Sequence, residues 1–134
     1  METLLYASKI LSMLFILFMF HCLGDYPLQG EYLATEKYKS KYILMCHCSI
    51  YTLVIMLGFI FLEYIGMIEN VSKVYGLIIF AVYITHFWID EETISANKTY
   101  KDENGKPDRF FFYLDQAAHV VVLLVLLIAH DYML

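Results

Sequence analysis

Residues 110–129 read FFFYLDQAAHVVVLLVLLIA. The run holds a single acid, Asp115, and a single imidazole, His119, in an otherwise mostly apolar stretch. At 1.5 Å per residue it reaches about 30 Å, the thickness of a bilayer's hydrocarbon core. Apolar and polar residues do not alternate along it, which excludes a barrel strand. It reads as a transmembrane helix with two ionisable groups near one end.

Three other runs repeat this character. Ile10–Gly24 has no Asp, Glu, Lys or Arg, and Leu4–Ser8 extends it through Lys9, whose long stem can snorkel to the interface. Tyr42–Leu62 is uncharged, as is Val74–Ile89, which lengthens to Val71 if Lys73 snorkels. The expectation is an all-α, four-helix transmembrane bundle of up-down topology. It forms a single domain over 1–134, with spans at about 4–24, 42–63, 71–90 and 110–130. Lys9 lies too deep for a signal peptide, and no small-x-small cleavage site follows Phe20.

Composition agrees. The chain has 134 residues, 60% hydrophobic and 17% aromatic, with mean hydropathy +0.60; soluble domains average about 45–50% apolar. A net charge of −5 excludes a basic nucleic-acid binder. Three cysteines cannot make a complete disulfide framework. The loops at about 25–41 and 91–109 carry Lys37, Lys39, Lys41, Lys98, Lys101, Lys106 and Arg109, against Lys9 and Lys73 elsewhere. By the positive-inside rule these long loops are cytoplasmic and both termini lie outside, in a multi-pass membrane protein. Within the first loop, part of Glu31–Lys39 can form an interfacial helix.

Ionisable residues inside membrane helices are expensive and mark function by default. Here His21 and Asp25 end the first span and His47 begins the second. His86 and Asp90 end the third, and Asp115 and His119 begin the fourth. Folded up and down, all these positions fall in one layer at the loop-rich face. His21/Asp25, His86/Asp90 and Asp115/His119 are each four residues apart, so each pair shares a helix face. Gln29 continues the first series if the helix runs through Pro27. Such facing pairs are how bundles build metal sites. The donor set suits one or two divalent transition metals: Zn, Mn, Fe or Ni. A hydrogen-bonded polar network and an ion path are the alternatives, but nearly apolar outer halves such as Thr52–Leu62 and Val120–Ala129 argue against a continuous path. Cys22, Cys46 and Cys48 read as small buried residues; Cys46 and Cys48 point about 200° apart on a helix and cannot both join His47. His130 and Asp131 read as interfacial, and Tyr51 and Trp88 as packing or aromatic-belt residues.

His21-x3-Asp25-Tyr26-x2-Gln29, His47, His86-x3-Asp90 and Asp115-Gln116-x2-His119 together resemble an uncharacterised family of small bacterial and phage membrane proteins. Its pattern reads H-x3-D-F/Y-x2-Q, a later H, H-x3-D and D-Q-x2-H. That family is distantly similar to membrane-bound metal-dependent hydrolases. The resemblance implies a bacterial inner membrane as the location, and that His21, Asp25, Gln29, His47, His86, Asp90, Asp115, Gln116 and His119 form the functional set.

The expected function is metal-dependent hydrolysis of an amphiphile or phosphoester. His21, Asp25, His47, His86, Asp90, Asp115 and His119 are the metal ligands. Asp25 or Asp90 is the general base, and Gln29 and Gln116 bind substrate or water. Lys37, Lys39 and Lys41 attract anionic lipid headgroups. Membrane lipids are the expected partners, with a homo-oligomer allowed and no nucleic acid. The alternative is a non-enzymatic oligomeric module, such as a pore, a metal sensor or a phage-defence effector, whose polar layer binds an ion or partner.

Overall fold

The computed structural model describes residues 1–101 and 104–133, with the Met133 side chain left aside. Four long helices pair in sequence order and close into a ring: α1 (Glu2–Asp25), α3 (Lys41–Tyr64), α4 (Tyr75–Thr99) and α5 (Arg109–Met133), with α1 also against α5. The short α2 (Gly30–Glu36) packs on α3. No strand forms among the described residues; Lys101 and Pro107 make one isolated bridge.

Neighbouring helices run antiparallel. His21 of α1 meets Tyr51 of α3, while Leu17, one turn back, meets Gly58 further along. Thr93 near the end of α4 meets Asp115 near the start of α5. Lipid tails give apolar side chains no reason to prefer a neighbouring helix, so close packing must hold such helices together. Glycine permits it here. A Cβ on Gly58 would stand 2.9 Å from Leu17 Cδ2 and 3.0 Å from Phe20 Cγ. A Cβ on Gly24 would stand 3.0 Å from Tyr51 Cδ2. Met13, Leu17, Ile55, Phe59, Leu123 and Leu127 fill the interior. Leu11, Phe15, Leu53, Phe80 and Val125 face outward and exposed, as a lipid-facing surface requires.

Among the described residues three helices, not four, are long and apolar enough to cross a membrane: Glu2–Asp25, Lys41–Tyr64 and Arg109–Tyr132. The span expected at 71–90 is corrected. Residues counted into its start form a separate 3₁₀ turn, Val71–Lys73, whose Val71 N–H is capped by Glu63 Oε1 at 3.0 Å. α4 therefore begins at Tyr75, and after Ile89 it continues through Asp90, Glu91 and Glu92. Half of the loop expected at 91–109 is consequently helix. The turn at Asn104-Gly105 does form, with Gly105 in the left-handed region at φ 72°. Asp108 then starts α5 by accepting the Phe110 N–H at 2.9 Å.

Candidate metal centre

All four histidines and all three aspartates of the expected layer are buried at one end of the bundle. They separate into two tiers according to what their atoms bond.

The inner tier is Asp25, His47, His86, Asp90 and His119, one or two residues from each long helix. Asp25, His47 and His86 form one group whose donor atoms all lie within 4.8 Å of one another; His86, Asp90 and His119 form a second. His86 belongs to both. His47 Nε2 is the focus, 3.0 Å from His86 Nε2 and 3.4 Å from both Asp25 Oδ1 and Asp90 Oδ2. His86 Nε2 lies 3.6 Å from Asp25 Oδ1, and His119 Nε2 lies 3.8 Å from Asp90 Oδ1. These buried groups could hold a metal ion.

The hydrogen bonding explains why. His119 Nδ1 donates to the Asp115 carbonyl at 2.9 Å. In the neutral ring the lone pair is then on Nε2, which is buried and has no hydrogen-bond partner. Asp25 Oδ1 also lacks one. Leaving such atoms unpaired costs about 1–3 kcal/mol each, and more when charged.

The outer tier is already satisfied. His21 Nε2 donates to Gln116 Oε1 at 3.0 Å, and its Nδ1 accepts the Tyr51 hydroxyl at 2.9 Å. Asp115 accepts Thr93 Oγ1 at 2.8 Å on one oxygen and Gln116 Nε2 at 2.9 Å on the other. His21 and Asp115 therefore orient neighbours in this arrangement, although both fall within the expected layer. Tyr51 lies flat on His86, ring centroids 3.6 Å apart and planes 11° apart, and fixes that imidazole's tilt.

Gln29 leaves the α1 face because the helix ends at Asp25, before Pro27. It returns through the loop to accept Lys37 Nζ at 3.1 Å. Lys37 is not a headgroup-facing residue. Its ammonium is buried against Asp90 Oδ2 at 2.8 Å and lies 3.4 Å from His47 Nε2. Burial opposes that charge, yet Asp90 and then Asp25 outweigh it and hold the Lys37 pKa above the ordinary lysine value.

Above the donors opens a cleft of about 190 Å³ lined by Asp25, Gln29, Lys37, Asp90, Asp115 and Gln116, among others. Tyr26, Thr93 and Asn97 also reach it. Tyr26 donates to Gln116 Oε1 at 3.1 Å. The sequence held signals for most of these partners. Tyr51 follows His47 by four residues, as Asp25 follows His21. Thr93 and Asn97 continue the Asp90 face at three and seven residues. Lys37 had no such signal among its neighbouring lysines. The three cysteines are free, Cys48 packs with Leu44 and Ile94, and neither donor group includes a cysteine.

The arrangement defines a class: a helical bundle with membrane-length helices and a buried His/Asp donor cluster at one end. A family model described as "Protein of unknown function (DUF3307)" matches residues 13–133, and the chain belongs to that family. No curated protein and no solved structure matches it.

Proposed function

We propose that this chain is an integral membrane enzyme that hydrolyses an amphiphile or phosphoester with one or two divalent transition metal ions held by Asp25, His47, His86, Asp90 and His119. The observation that carries the reading is the excess of buried lone pairs over protons around His47 Nε2. With imidazoles neutral, the three carboxylates Asp25, Asp90 and Asp115 face one ammonium, Lys37. That leaves two negative charges uncompensated, the charge of one divalent cation. Unpaired buried charges cost several kcal/mol each, so a cation at this point stabilises the bundle.

A bound divalent ion supplies Lewis acidity and brings the pKa of a water toward neutrality. The remaining roles fall to side chains. Asp25 lines the cleft, and its carboxylate oxygen not bound to the ion takes the proton from the attacking water. Gln116 and Tyr26 present hydrogen-bonding groups to whatever enters. His21, Tyr51, Asp115 and Thr93 hold the donors in place. The distant similarity to membrane-bound metal-dependent hydrolases supports the same chemistry by analogy alone. The basic residues of the loops support a cytoplasmic position for this end, with both termini outside.

The test is elemental analysis of the purified protein, followed by turnover of a panel of phosphoesters and acyl esters with and without chelator. Near-stoichiometric Zn, Mn, Fe or Ni and chelator-sensitive hydrolysis are expected. A metal-free protein that conducts ions in liposomes overturns the proposal in favour of a non-enzymatic module.

A further inference from the structure

The two donor groups compete for one ring. His86 belongs to both, and a neutral imidazole offers a single lone pair. The first group has the closer geometry. Its Asp25 Oδ1, His47 Nε2 and His86 Nε2 stand 3.0, 3.4 and 3.6 Å apart. Those separations bracket the roughly 3.3 Å edge of a tetrahedron drawn around an ion about 2.0–2.1 Å from its ligands. In the second group His86 Nε2 lies 3.9 Å from Asp90 Oδ2, and His119 Nε2 lies 3.8 Å from Asp90 Oδ1. Once His86 serves an ion in the first group, the second is left with Asp90 and His119.

Asp90, moreover, already holds a cation of the chain's own. The Lys37 ammonium lies 2.8 Å from Asp90 Oδ2, donates to Gln29 Oε1 at 3.1 Å and stands 3.4 Å from His47 Nε2. Only 13% of its side chain is exposed. It thus meets a carboxylate oxygen, an amide oxygen and an imidazole, the donors that a second divalent ion would take. We infer that the centre holds one ion, at Asp25, His47 and His86, and that Lys37 fills the place of a second. The inference deepens the reading above, on which it rests for the ion itself, and makes Lys37 the residue that fixes the ion count. Charge agrees with it. One divalent ion and one ammonium balance Asp25, Asp90 and Asp115, whereas a second ion beside Lys37 leaves two positive charges in excess inside the bundle. Two-metal sites set their ions about 3.5–4 Å apart; here the neighbour at that range is a side chain.

The experiment counts ions on the full chain in detergent, by elemental analysis after equilibration with excess zinc or manganese and removal of unbound metal. In parallel, acetic anhydride labelling mapped by mass spectrometry reads the access to Lys37 with and without metal. The parent should carry one ion per chain. Its Lys37 should stay protected in both states, while the exposed Lys39 and Lys41 react. Lys37→Met frees Asp90 and should raise the count from one to two; adding Asp90→Asn to that variant should return it to one. Lys37→Gln, whose amide still donates to Asp90, should also take two ions and serves if Lys37→Met does not fold. Two ions on the parent, a single ion on a folded Lys37 variant, or two on the double variant overturns the inference and leaves the hydrolase proposal standing. So does acetylation of Lys37 once metal is bound, because the ion has then taken the ammonium's own place. A parent that takes up no metal strikes both.

Discussion

Both ends of the bundle bury histidine with an unpartnered Nε2, yet they are not equivalent. At the N- and C-terminal end, His130 is buried beside Lys9, Glu69, Asn70 and Asp131 around a hollow of about 230 Å³. Its ring bonds the backbone of Glu69, and the groups around it carry both signs of charge. At the loop-rich end four imidazoles and three carboxylates converge from four helices. Among the described residues, both groups close enough to share an ion lie there. A buried imidazole is therefore not itself the signature of a centre. The signature is several acceptors whose lone pairs face one another with too few protons to reconcile them.

The sharpest way to break this contrast is His86→Ala, because His86 belongs to both donor groups. Metal content should fall to background and hydrolysis with it, exceeding the roughly 10–100-fold loss that an outer hydrogen-bond partner costs. Stoichiometric metal in that variant would put the ion elsewhere. Next in size is Lys37→Met. Removing one partner of a buried ion pair costs about 3–5 kcal/mol, so the metal-free protein should melt earlier while zinc, measured by calorimetry, binds more tightly. Unchanged melting would show that Lys37 plays no part in the charge balance. Gln116→Ala should weaken metal affinity by about 10–100-fold without abolishing it, since Gln116 orients His21 and Asp115. The smallest effect sharpens the contrast from the other end. His130→Ala should leave metal content and turnover within about twofold, because surroundings that share no donor with the centre act independently.

Much of this centre was legible in the sequence. The four-residue spacings of His21/Asp25, His86/Asp90 and Asp115/His119, and the place of His47 at the start of its span, were with alternating helix direction enough to bring seven groups to one level. What spacing could not supply was the division of labour. Whether His21 faces an ion or Gln116 depends on a partner 95 positions away. The role of Lys37 was hidden because a loop lysine carries no periodicity, and its place is set by how α2 folds back on α3. The boundary of α4 was misread because hydropathy alone does not see the left-handed backbone at Asn70, φ 58°, that precedes the Val71–Lys73 turn.

In the proposed centre the narrow gap at Gly24 would bear on ion selectivity. Tyr51 is held between the α1 backbone on one side and the His86 ring on the other. Its thickness therefore works as a feeler gauge, fixing the separation at which α1 and α4 present Asp25 and His86. A methyl group at Gly24 would push on Tyr51 and through it on the imidazole behind, altering which ionic radius fits best. Discrimination among cations would then be tuned from a position that never touches one.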